Sequence, residues 1–157
     1  MTAWLQASAI GVWTRESPSI WAYPTVLTLH TVGLGVLVGA NAVVDFRLLG
    51  FAPRLPVRSL TPLYRFMWAG FAINAITGAM LFASDATAKA AQPVFYVKLM
   101  LIALALAATV VIRKRVERAD PSGGARVREE STTRRAAVAS LLLWTAAIAA
   151  GRLMAYL

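Results

Sequence analysis

Residues 21–44 read WAYPTVLTLHTVGLGVLVGANAVV, a run without one charged side chain that extends back to Ser17. At 1.5 Å per residue such a helix is roughly 36 Å long, more than the roughly 30 Å hydrocarbon core of a bilayer. The stretch therefore predicts a membrane-spanning helix. Three more windows satisfy the same criterion. Residues 66–83 carry no charge, residues 94–112 only Lys98, and residues 136–157 only Arg152. Short connectors make sequential spans antiparallel neighbours. The expected fold is an all-α integral membrane four-helix bundle, one membrane domain covering residues 1–157.

Composition agrees with that reading. Hydrophobic residues make up 59% of the 157 and charged residues 15%, with a mean hydropathy of +0.63. Soluble domains carry about 25% charged residues, so the composition argues against a soluble globular enzyme. Cysteine is absent and His30 is the one histidine. Disulfides, thiolate nucleophiles, Cys-bound zinc, iron–sulfur clusters and two-histidine metal sites within one chain are therefore excluded. No activated nucleophile or pair of carboxylates falls in one layer, so nothing supports hydrolysis.

Net charge is +9, from 16 Lys and Arg against 7 Asp and Glu. The connector after the first span holds Arg47, Arg54, Arg58 and Arg65. The connector after the third holds Arg113, Lys114, Arg115, Arg118, Arg126, Arg128, Arg134 and Arg135, around a turn at Pro121-Ser122-Gly123-Gly124. Twelve of the sixteen basic residues thus fall on one side. By the positive-inside rule that side is the cytoplasm and both termini are extracytoplasmic, in a bacterial inner membrane. Topology accounts for the basic excess, so no nucleic-acid partner is expected. Residues 1–16 read as a short amphipathic interfacial helix. Its apolar side is Leu5, Ala9 and Val12, Trp4 and Trp13 suit the headgroup level, and Ser17-Pro18 ends it.

Polar side chains within a span are costly and mark sites or packing contacts. Here they converge on one leaflet. His30 lies roughly 13 Å and Asn74 roughly 12 Å below the outer surface, with Lys98 and Arg152 each roughly 8 Å deep. Tyr23, His30 and Asn41 share a face of the first span. Gly70, Asn74 and Thr77 form a small-polar stripe on the second, and Lys98, Ala105 and Thr109 align on the third. Thr145, Arg152 and Tyr156 share a face of the fourth. A neutral imidazole ligates haem iron or copper, so His30 is the candidate metal ligand. Lys98 and Arg152 would pair with carboxylates such as haem propionates, with Asn74 and Tyr23 as further cofactor-binding candidates. Bis-histidine haem would need His30 from two copies; Met80, Met100 and Met154 are alternative sulfur ligands. Gly35-x-x-x-Gly39 lies on the face opposite His30, with spacing suited to bundle packing or homodimerisation. Asp45 is expected at the inner headgroup level, paired with Arg47 or Arg65. No second intramembrane carboxylate exists to pass a proton onward, which argues against a pump.

Tyr23-Pro24, His30, Gly33, Gly39 and Asp45-x-Arg47-Leu48-Leu49-Gly50 resemble the first helix of a family of small, uncharacterised bacterial four-helix inner-membrane proteins. Thr77-Gly78 with Leu81-Phe82, then Phe95-x-x-Lys98-Leu99, continue the pattern, and their order is similar to the copper-resistance D-type membrane domain. The first resemblance implies a four-helix inner-membrane fold without an activity; the second implies copper handling through His30. The leading expectation is a binding module holding a cofactor or small ligand around His30, most concretely b-type haem in electron transfer. Copper handling and a structural subunit of a larger membrane complex are the alternatives.

The orientation has a direct test in a chain that lacks cysteine. A Ser59→Cys variant is expected to resist an impermeant maleimide in intact cells, and Thr87→Cys to react. The reverse pattern would overturn the assignment.

Overall fold

The computed structural model describes residues 2–118, 126–154 and 156, without the side chains of residues 118 and 126–130. The Pro121–Gly124 turn lies outside the described residues. Seven α-helices follow in order: α1 (Ala3–Gln6), α2 (Ala9–Glu16), α3 (Tyr23–Leu48), α4 (Leu63–Ser84), α5 (Ala86–Ala91), α6 (Pro93–Arg118) and α7 (Arg126–Leu153). A 3-10 turn, Val57–Leu60, precedes α4. The described residues contain no strand. α3, α4, α6 and α7 are each long and apolar enough to cross a membrane, and the chain is a multi-pass membrane protein.

The spanning helices outrun the charge-free windows. α3 continues through Asp45 and Arg47 to Leu48, and α6 from Pro93 to Arg118. A charged residue does not stop a helix; it ends only the part that can face lipid. Pro24 and Pro93 fall in the first turns of α3 and α6, where the missing N–H costs no hydrogen bond. Gly50 (φ 107°) and Ala52 (φ 50°) turn the chain after α3, and Pro53 and Pro56 keep the connector from extending the helix.

The four long helices form two tight antiparallel hairpins, α3 with α4 and α6 with α7, joined chiefly where α3 meets α7. Leu37, Met67, Ala105, Ile112 and Trp144 fill the interior. The outward faces are equally apolar: Leu27, Leu29, Val32, Leu104 and Leu142 are all exposed. A helix that is apolar all round needs lipid on its far side. At the outer end the Phe82 ring stacks on Phe95, 4.8 Å between centroids, and ties α4 to α6.

Glycine determines how closely α3 and α4 pack. A Cβ on Gly70 would lie 2.8 Å from the Gly33 carbonyl oxygen and 2.8 Å from the Leu37 nitrogen. A Cβ on Gly33 would lie 3.0 Å from the Asn74 nitrogen and the Gly70 oxygen. The two backbones are in contact there, and no other residue fits. Gly35 and Gly39 meet nothing within 4 Å. The glycines that pack the bundle are thus Gly33 and Gly70, and the Gly35/Gly39 face is left open.

The N-terminal segment differs from the expected single interfacial helix. It breaks into α1 and α2, with Ser8 capping the second through a 3.2 Å bond from the Gly11 N–H. Its buried residues are Gly11 and Thr14, not Leu5, Ala9 and Val12. α2 lies against the outer end of α4, so close that a Cβ on Gly11 would come within 2.8 Å of the Ala83 carbonyl oxygen, and Arg15 donates to the Ser84 carbonyl at 3.1 Å. Tertiary contact prevails over a weak amphipathic pattern. Trp4 and Trp13 stay exposed.

A Gly70→Ala variant is expected to lose about 1–3 kcal/mol of stability from backbone overpacking. Gly35→Ala and Gly39→Ala are expected to leave it unchanged. Thermal unfolding of the detergent-solubilised protein measures all three.

Candidate functional site

The inward faces of the long helices carry two polar layers separated by an apolar plug. The plug is Leu37, Ala105 and Trp144, at the level just inward of the Gly33/Gly70 contact. The layer nearer the chain termini, called the outer layer, contains His30, Asn74 and Lys98 of the expected set, together with Thr77. The inner layer contains Asn41, Asp45, Thr109 and Ser140.

In the outer layer, close α3–α4 packing puts His30 against α4. Asn74 Nδ2 donates to the His30 carbonyl at 2.8 Å, and His30 Nδ1 lies 3.1 Å from Thr77 Oγ1. Gly78 leaves room for the ring: a Cβ there would stand 3.0 Å from His30 Cε1. The Thr77 hydroxyl has one proton and lies 2.6 Å from the Ile73 carbonyl, which takes it. Toward His30 the hydroxyl is therefore an acceptor, so Nδ1 carries the imidazole hydrogen and Nε2 keeps a free lone pair. That is the orientation in which a histidine serves as a ligand.

Lys98 is half-buried on α6 against α7, its ammonium 3.5 Å from where a Gly151 Cβ would be. Among the described residues it has no hydrogen-bond or ion-pair partner, and it lies within electrostatic range of His30. Lys89 on α5 adds a second positive charge nearby, its ammonium donating to the Leu81 carbonyl. Burial pushes Lys89 below the usual lysine range; Asp85 opposes this and Lys98 reinforces it. Arg152 and Tyr23 are exposed on the bundle surface. The outer layer thus brings together His30, Asn74 and Lys98, and leaves Tyr23 and Arg152 outside. Thr77 had been grouped with the α4 stripe but not with the site; its spacing of one helical turn from Asn74 was the available signal.

The inner layer is the larger departure. Asp45 is 1% exposed and faces the interior of the bundle, paired with neither Arg47 nor Arg65. Arg47 instead donates to the Leu55 and Pro53 carbonyls of its own connector. Asn41 Nδ2 donates to Asp45 Oδ2 at 2.6 Å and to Ser140 Oγ at 2.9 Å, and Thr109 Oγ1 donates to Asn41 Oδ1 at 2.7 Å. One asparagine therefore links α3, α6 and α7. Among the described residues there is no group of three or more His, Cys, Asp or Glu able to hold a metal. No family model, no curated protein and no solved structure matches the chain.

Removing the Thr77 acceptor should release the imidazole. In Thr77→Val, nitrogen-15 spectra of His30 are expected to change from one Nδ1–H tautomer to a mixture. An unchanged spectrum would show that Thr77 does not orient the ring.

Proposed function

We propose that the protein is a binding module of the bacterial inner membrane, with extracytoplasmic termini, that holds an anionic cofactor or small ligand in the outer half of the bundle. The observation that carries this reading is Lys98. A cation half-buried among apolar helices is costly unless an anion accompanies it, and the chain supplies none among its described residues. His30 stands beside it with Nε2 free.

A b-type haem is the most concrete ligand, and the donors suit it. His30 Nε2 would hold the iron and Lys98 a propionate, while Thr77 and Asn74 fix α3 and the ring. Bound there, the haem would supply one-electron transfer. One chain offers one imidazole, so bis-histidine ligation would need His30 from a second copy; the open Gly35/Gly39 face points away from His30, so a dimer through it would leave each imidazole in its own bundle. Copper is less well supported, because three ligating side chains do not gather anywhere among the described residues. A subunit packed into a larger membrane complex is the reading that remains if no ligand is found.

Absorption spectra of the purified protein, oxidised and dithionite-reduced, test this directly. A Soret band is expected, abolished in His30→Ala. In Lys98→Ala, losing one charge-assisted contact of about 1.5–3 kcal/mol should weaken haem binding roughly ten- to a hundredfold. Absence of the band under ample haem supply removes haem. Copper content that falls in His30→Ala would then favour the metal, and co-purification with a single partner the scaffold.

A further inference from the structure

The inner layer is not used by the outer site, and its chemistry is incomplete. Three polar atoms there are fully buried without a hydrogen-bond partner: Asp45 Oδ1 on α3, the Tyr64 hydroxyl on α4 and Trp144 Nε1 on α7. Tyr64 is within electrostatic range of Asp45, and Trp144 sits one helical turn from Ser140. Buried polar atoms in native bundles are paired, so the orphaned Asp45 oxygen and Tyr64 hydroxyl, on two helices beside one network, mark a place where something binds; the Trp144 N–H, a donor alone, cannot hold a cation. Among the described residues, Asp45 is also without a cationic partner. Arg47 is engaged in its own connector, and Arg113 forms a 2.8 Å ion pair with Glu117 while covering the Tyr64 ring at 5.5 Å. A carboxylate helped only by the Asn41 amide and the Ser140 hydroxyl, with one oxygen still unpaired, is not stable in an apolar interior; it takes up positive charge.

The layer also has a way in. A pocket of about 230 Å³ opens between α4 and α6 on the inner side, walled by Met67, Trp68 and Val110. Thr109 contributes to both the pocket wall and the Asn41 network. Arg113, Lys114 and Glu117 line its inward end. The Phe82–Phe95 stack packs the same helix pair together at its other end.

We propose that Asp45 is the anionic centre of a second site, which takes one small monovalent cation, a proton or sodium ion, from the inner side between α4 and α6. A single carboxylate balances a single positive charge; a divalent ion would remain half-compensated. The oxygens of Ser140 and Asn41, in the same hydrogen-bonded network, and of Tyr64, within electrostatic range, are hard donors of the kind either guest takes. The charged and titratable groups facing the site are Tyr64 from α4 and Arg113 and Glu117 from α6, while α7 presents only Ser140 and Trp144 among its described residues. If sodium is the guest, each ion bound displaces one proton from the carboxylic acid to the inner side. This is a binding site and not a relay, since the apolar plug of Leu37, Ala105 and Trp144 separates it from the outer layer.

Infrared difference spectroscopy of the full chain in lipid nanodiscs tests the proposal. Carboxyl-labelled aspartate is used in a background of Asp85→Asn and Asp120→Asn, so that Asp45 is the one labelled carboxyl. A carboxylic-acid C=O band is expected at neutral pH. If the band diminishes when sodium chloride replaces choline chloride, sodium is the guest. If it responds to pH and not to sodium, the guest is the proton. Both results support the site. Asp45→Asn is expected to remove the band, but the wild-type side chain alone gives the answer if that variant does not fold. An Asp45 that remains carboxylate from mildly acidic to alkaline pH, with no sodium-dependent change in its spectrum or in the melting temperature, overturns the proposal.

Discussion

The contact between the backbones of Gly33 and Gly70 governs the rest of the structure. In a bilayer, helices gain nothing from expelling water, so association depends on close packing and on hydrogen bonds between helices. With no side chain on either glycine, α3 and α4 touch. Asn74 can then reach the His30 carbonyl, and His30 can reach Thr77. A wider spacing would break those bonds together, because all of them cross the same gap.

The second hairpin joins by a different means. α6 and α7 meet α3 through Asn41, whose one amide engages Thr109 and Ser140 while also holding Asp45. An unpaired amide in hydrocarbon is costly, so the network selects the register in which all three helices present their polar groups at one depth. The result is a bundle with glycine packing in its outer half and asparagine bonding in its inner half. Among the described residues, each half leaves one ionisable group without an oppositely charged partner: Lys98 in the half nearer the chain termini and Asp45 in the other. The two cannot neutralise each other, because Leu37, Ala105 and Trp144 lie between them. Opposite charges held apart in this way suit two sites of opposite preference, an anion site toward one surface and a cation site toward the other.

Much of the architecture was legible in the order of residues. Four apolar windows predicted four spanning helices, and the periodicity of Lys98, Ala105 and Thr109 placed those three on one inward stripe of α6. Depth arithmetic put His30 and Asn74 in one layer, where they are joined. The glycines were harder. Gly35-x-x-x-Gly39 has the familiar spacing, whereas Gly33 and Gly70 lie on different helices, and no spacing rule within one helix relates them. Asp45 was misplaced because Arg47 and Arg65 stand near it in the chain. The rotation of α3 turns Asp45 inward and Arg47 out toward its own connector.

The sequence by itself determined that this chain spans a membrane four times and that its interior carries a few polar groups. That follows from the cost of charge in hydrocarbon, a cost paid residue by residue and therefore readable from single positions. Only the tertiary structure decided which polar groups meet. Whether Asp45 finds Arg47 or Asn41, and whether Lys98 snorkels or stays beside Gly151, depends on how each helix is rotated against its neighbours. Helices that are apolar on every side leave that rotation unspecified in the hydropathy pattern. It is set by the few places where backbones touch or amides pair, and those pairings lie between helices, up to 99 residues apart in the chain for Asn41 and Ser140.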